Sequence, residues 1–220
     1  MTFQLLKRRS LLWPTLLGWF ALGGFIAIAA LMALWKGEAF FRLNERLPAD
    51  VLVVEGWIGP EGVRAAGNEF KQGGYRYVVA TGGLSDVRWS DSQWSFTTEA
   101  AKQLRLCGIA TEQILTAPPE ITPNQRTFQS ARAVRSRLQE AYPAAKAVNI
   151  FTLGAHARRS RLIFSEVLTV PVGVISWVPP RDQGGNWWRS SSRAEDVLKE
   201  TAGYLYEVLF RSGRGFGTSS

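Results

Sequence analysis

Apolar and polar positions divide this chain into one long uncharged run followed by a series of short ones. From Leu11 to Trp35 no residue carries a charge, a stretch long enough to cross a bilayer as a helix. Beyond it, short apolar runs bounded by glycine, proline and polar clusters predict strands at Asp50–Glu55, Tyr75–Ala80, Gln113–Thr116, Val148–Leu153 and Thr169–Trp177. Between them the spacing turns helical, from Glu61 to Gln72, Phe96 to Leu106, Thr122 to Gln139, His156 onward, and Ser192 to Phe210. Gly73-Gly74 and Gly108 stop the first two of these. Thr122-Pro123 with Gln125 predicts a capping box on the third, and Ser192 with Glu195 a second box on the last. In that last helix Val197, Leu198, Ala202, Leu205, Val208 and Leu209 read as a stripe facing the core.

Strands alternating with helices imply a parallel sheet covered on both faces. The expected fold is α/β, a Rossmann-like three-layer α/β/α sandwich with a mainly parallel sheet, preceded by one N-terminal transmembrane helix. In such sheets ligands bind beyond the carboxyl ends of the strands, near the point where strand order reverses. Trp57, Trp89, Trp94, Trp177, Trp187 and Trp188 all follow a predicted strand end. They are expected on that edge, with about half of them packing loops rather than meeting a ligand. The loop after Gly83 is long enough to act as a flap.

Composition adds compartment and charge. Lys7, Arg8 and Arg9 precede the uncharged run and place the N-terminus in the cytoplasm, although Lys36, Arg42 and Arg46 on the far side oppose that bias. The expected organisation is a cytoplasmic segment over 1–10, a plasma-membrane anchor over 11–35, a connector over 36–48, an extracytoplasmic domain over 49–211 and a tail over 212–220. Phe40 and Phe41 in the connector are expected to dip into the headgroup layer. At 220 residues and 46% hydrophobic content the chain is not a mainly disordered protein. A net charge of +8 favours anionic partners, the bilayer surface among them, but no nucleic-acid motif accompanies it and no nucleic acid is expected. With Cys107 the single cysteine, there is no internal disulfide, and no Cys/His cluster has metal-ligand spacing.

The stretch Asn149–Arg161, NIFTLGAHARRSR, holds the one histidine and three arginines just after an apolar run. His156 and Arg159 fall on one helix face. Cations at a helix start oppose the helix dipole, a conflict that an anion on the free backbone N–H groups would relieve. The alternative is a solvated basic face with His156 packing or capping.

Several short motifs recur in a fixed order: Val53-Val54-Glu55-Gly56, Thr81-Gly82-Gly83, Thr98-Glu99-Ala100, Thr127-Phe128-Gln129-Ser130-Ala131, and Thr152 through His156 and Arg159 to Ser160. Together they resemble the YdcF-like proteins, also called the SanA/ElyC family or domain of unknown function 218, from about Asp50 to Val178. Gln129 and Ser130 stand where that family usually has an acid and an amide, and Glu55-Gly56-Trp57 replaces its commoner L-G-G turn. The resemblance implies a membrane-anchored protein of bacterial cell-envelope biogenesis. On this reading His156 and Glu99 form the catalytic pair, and Glu55, Gly56, Arg64, Thr81, Gly82, Gly83, Thr127 and Arg159 bind an anionic, phosphate-bearing ligand that an isoprenoid lipid could carry. No cofactor is named. A non-catalytic envelope scaffold and a nucleotide- or S-adenosylmethionine-binding domain are the competing expectations.

Overall fold

The computed structural model describes residues 14–83, 95–122 and 125–211. The expected cytoplasmic segment, the first three residues of the expected anchor, the flap with Trp89 and Trp94, Pro123 and the tail lie outside these residues. The chain divides into two units, Met1–Gly37 and Glu38–Ser220.

The first unit is most of helix α1, Leu16–Phe41, which among the described residues is the one helix long and apolar enough to span a membrane. The second unit is an α/β domain whose five strands are all parallel, in the order β3-β2-β1-β4-β5. They are β1 Val51–Glu55, β2 Tyr77–Thr81, β3 Ile114–Ala117, β4 Val148–Leu153 and β5 Val172–Trp177. Helices α2, Gly59–Gly73, and α3, Phe96–Leu106, lead the chain outward from β1 to β3. Helix α4, Arg126–Ala141, carries it back to β4, beside β1, and α5, Ala157–Val167, leads to β5. Strand order therefore reverses between β1 and β4.

Strands buried on both faces read as continuous apolar runs rather than alternating ones, and Val51 through Val54 are all fully buried. Val51 and Val53 join α4 and α5 in one core, with Phe128, Ile163 and Phe164. Leu52 and Val54 join α2 and α3 in the other, with Val63, Phe70 and Leu104. Residues 38–48 belong to the domain: Glu45 makes an antiparallel bridge to Val174 on the outer edge of β5, and Arg161 pairs with Glu45 at 2.8 Å. Phe41, expected at the headgroups, is instead buried in a small cluster with Ala155, Trp187 and Val197, while Phe40 remains partly exposed.

Helix α4 starts at Arg126, and Gln125 precedes it in a left-handed conformation, φ 53°, with no side-chain cap bond. The expected capping box is thus not formed, because a residue with positive φ cannot be the third residue of a helix. Helix α6, Ser191–Phe210, begins one residue before the expected box and also lacks a side-chain cap bond. Its orientation differs from the expectation as well. Arg193, Val197, Glu200 and Glu207 face inward, whereas Leu198, Ala202, Leu205, Val208 and Leu209 are exposed. The ion pairs described next override the burial of that apolar stripe.

Candidate functional site

The two central strands end alike. After Glu55 and after Leu153 the chain makes one short 3-10 turn, Gly56–Ile58 and Gly154–His156, and enters a helix. Because β1 and β4 are neighbours, these turns bring Glu55 and His156 together where strand order reverses. Gly56 permits the close approach of the α3 start to the first of these turns: a Cβ there would stand 2.3 Å from the Phe96 carbonyl oxygen. Gly82, φ +136°, lies under the same residue, where a Cβ would meet Phe96 Cβ at 2.9 Å.

His156 is almost wholly buried, and its Nδ1 lies 2.8 Å from Glu200 Oε1. A carboxylate can only accept, so Nδ1 carries the proton and Nε2 is the atom turned toward the remaining partners. Arg159 closes on the same carboxylate with both arms of its fork, Nε to Oε2 at 2.7 Å and Nη2 to Oε1 at 3.0 Å. The 3.0 Å approach of Nη2 to His156 Nδ1 then follows from two donors sharing Oε1. On the other side of the ring, Nε2 is 3.8 Å from Glu55 Oε2 and 3.5 Å from Thr127 Oγ1. Glu55 accepts from the buried Ser160 hydroxyl at 2.9 Å, and Trp57 meets the imidazole edge-on at 4.9 Å.

Electrostatics follow from that geometry. Burial would raise the Glu200 carboxyl, but hydrogen bonds and charge from Arg159 and His156 outweigh it and bring it down to about 2. Burial would lower Arg159, yet its bonds to Glu200 and the nearby Glu55 charge leave it raised. A second network lies on the same cavity: Arg193 grips Glu38 with two bonds, 2.9 and 2.6 Å, and Arg42 reaches the same carboxylate at 2.7 Å. Burial holds the Arg42 guanidinium below its ordinary value, against the pull of Glu38. Arg42 Nε is buried with no partner.

These groups line a cavity of about 790 Å³ at the carboxyl edge of the sheet. Of the sequence-derived site residues, Glu55, Gly82, Gly83, Thr127, His156 and Arg159 line it. Gly56 stands behind it as a packing position, and Thr81 is fully buried with its hydroxyl on the Ala117 carbonyl. Arg64 is exposed on α2 and Glu99 accepts from Gln103 on α3; neither lines the cavity. The carboxylates at His156 are Glu200 and Glu55, so the pairing expected of Glu99 is made by a helix a hundred residues further on. The expected basic face also resolves into internal pairs, with Arg158 on the Phe40 carbonyl and ring, Arg159 on Glu200 and Arg161 on Glu45. Among the tryptophans Trp57 lines the cavity, whereas Trp177 packs near Gly62 and Trp187 is buried beside Phe41.

Sequence reasoning missed Glu38, Arg42, Arg193, Glu200 and Glu207, all of which line the cavity. One signal was present: Arg193, Glu200 and Glu207 recur every seven residues, the spacing of one helix seam. Among the described residues no group of three or more His, Cys, Asp or Glu is arranged to hold a metal ion. The sequence matches no known family model and no curated protein.

Proposed function

We propose that this is a membrane-anchored, extracytoplasmic envelope protein of the YdcF-like type, with a Rossmann-like domain. On this reading it binds and processes an anionic, phosphate-bearing, lipid-linked ligand at the carboxyl edge of its sheet. The observation that carries the reading is the oriented imidazole: Glu200 holds Nδ1–H, and Nε2 stands in the cavity at the reversal of strand order. An imidazole so placed can take a proton from a hydroxyl or water and return it to a leaving oxygen, while Glu200 balances the charge gained. Ser160 is fully buried and committed to Glu55, so the attacking group comes from the ligand or from water.

The anion is not assigned to Arg159, whose fork is already filled. It is assigned to the start of α4, where Gln125, Arg126 and Thr127 line the cavity and no side chain caps the helix. Backbone N–H groups at a helix start and an exposed guanidinium suit a phosphate. Gln125 supports this: a left-handed non-glycine residue at a cavity wall is strain of the kind found at ligand sites. Against a nucleotide, β2 ends in Thr81-Gly82-Gly83, with no carboxylate for a ribose. A non-catalytic binding role is the second reading, favoured by the internal satisfaction of Arg159 and of His156 Nδ1.

The test uses the full chain in mild detergent, offered a polyprenyl phosphate, a nucleoside triphosphate and S-adenosylmethionine, with retained ligand read by native mass spectrometry. The polyprenyl phosphate should be retained, and Arg126→Gln should weaken retention about tenfold, the loss of one charge-assisted bond. His156→Asn should keep retention and abolish product formation; the absence of product from the wild type would select the binding role. Retention of a nucleotide instead would overturn both.

A further inference from the structure

Helix α6 turns its charged seam inward and its apolar stripe outward. Arg193, Glu200 and Glu207 are buried, and the first two are locked, Arg193 to Glu38 and Glu200 to Arg159 and His156. The helix cannot roll to bury its leucines without breaking those pairs. On the outward face Leu198 is 66% exposed, Leu205 54%, Leu209 63% and Phe210 62%, with Tyr206 and Val208 beside them. Polar Glu195 and Lys199 interrupt this face in the first half of the helix, but from Leu205 to Phe210 only the buried Glu207 is charged. An apolar patch of that kind marks a contact surface.

Tyr204 of α6 packs edge-on against Phe40 and Phe41, with ring centroids 5.9 and 6.0 Å away. Phe40 is five residues beyond Trp35, where the uncharged run ends, so the chain keeps the two within about 18 Å whatever its course. Arg158 sits over the Phe40 ring and Arg211 follows Phe210. Aromatic rings with flanking cations suit the headgroup layer.

We propose that the carboxyl-terminal half of α6, through Leu205, Tyr206, Val208, Leu209 and Phe210, lies in the headgroup–acyl boundary of the membrane that α1 spans. The inference rests on the anchoring part of the reading above. It also deepens it, because Tyr206 belongs both to this face and to the cavity wall. The cavity then opens at the lipid surface, and an amphiphile can place its polar head inside while its chain stays in the bilayer.

The experiment places single cysteines at Ala30, Lys199, Leu205 and Leu209 in a Cys107→Ser background. Each full chain is labelled with an environment-sensitive fluorophore and reconstituted into phosphatidylcholine–phosphatidylglycerol vesicles with or without brominated acyl chains. Ala30, Leu205 and Leu209 should be quenched and blue-shifted, and Lys199 should not. Quenching at Ala30 with none at Leu205 or Leu209 overturns the inference and leaves the anchor standing, whether those labels face water or a second copy of the chain. No quenching at Ala30 overturns the anchor itself and the inference with it. Equal quenching at Lys199 and Leu209 shows immersion of the whole helix rather than of its carboxyl-terminal half and overturns the inference too.

Discussion

Burial alone lifts a carboxyl's pKa, and Glu200 goes the other way, from 4.5 to about 2, because two cationic or N–H donors close on it. A folded-state pKa below the unfolded one means that the stabilisation is fully present above about pH 4.5 and is lost as pH falls toward 2. The shift corresponds to about 3 kcal/mol. Acid titration of the wild type followed by circular dichroism should show this loss between those limits, and Glu200→Gln should flatten it. At neutral pH the same substitution should cost about 2–3 kcal/mol, toward the low side for a broken buried pair because Arg159 keeps some access to water. Arg159→Ala should destabilise by a similar amount in urea unfolding. If Arg159→Ala leaves the urea midpoint unchanged, the pair is not formed in solution and Arg159 is free for a ligand.

Elements meet here through close backbone approaches as much as through apolar packing. A methyl group at Gly56 would push directly on the backbone at the start of α3, which cannot swing aside as a flexible side chain can. Gly56→Ala should therefore lower stability by about 1–3 kcal/mol and displace the turn that carries Trp57 to His156. A chemical denaturation curve and the tryptophan emission maximum together check this, and an unchanged curve would place the α3 start elsewhere. At Gly203 a Cβ would stand 3.0 Å from Arg159 Cδ and Nε, so α6 passes the Arg159 stem at a position without a side chain. Gly203→Ala should disturb the Glu200 pair while leaving the sheet intact, visible as a raised acid-unfolding midpoint.

On the scale of the whole chain, one candidate spanning helix precedes a domain whose first folded residues, from Glu38, are tied into its cavity wall. The basic flank Lys7–Arg9 predicts that this domain lies outside the cytoplasm. A reporter active only in the cytoplasm, fused after Ser220, should be silent, and activity there would remove the envelope reading. Changes at Glu38 should reach further than those at an ordinary linker residue, because Glu38 neutralises Arg42 and Arg193 together. Glu38→Gln should lower both domain stability and ligand retention, measured on the same preparation.

The five strands, the helices between them and the placing of His156 just past a central strand were legible in the sequence, since apolar periodicity and glycine stops are local properties of the chain. So was the meeting of Glu55, Gly82 and His156, because the carboxyl edge of a parallel sheet follows from strand ends alone, whereas Thr127 was placed with them only through the motif resemblance. What only the tertiary structure decided is which carboxylate reaches His156 and which way α6 faces. Glu99 and Glu200 are both acids on helices, and nothing local separates them; the packing of α6 across α5 brings one to the imidazole and leaves the other on Gln103. The apolar stripe of α6 would by itself face the core. Arg193 and Glu200 are themselves buried and find partners in Glu38, Arg159 and His156, and leaving those charges unpaired would cost more than exposing leucines. Ion pairing between segments far apart in sequence has no periodicity to read, and so the inward face of this helix appears only once the chain is folded.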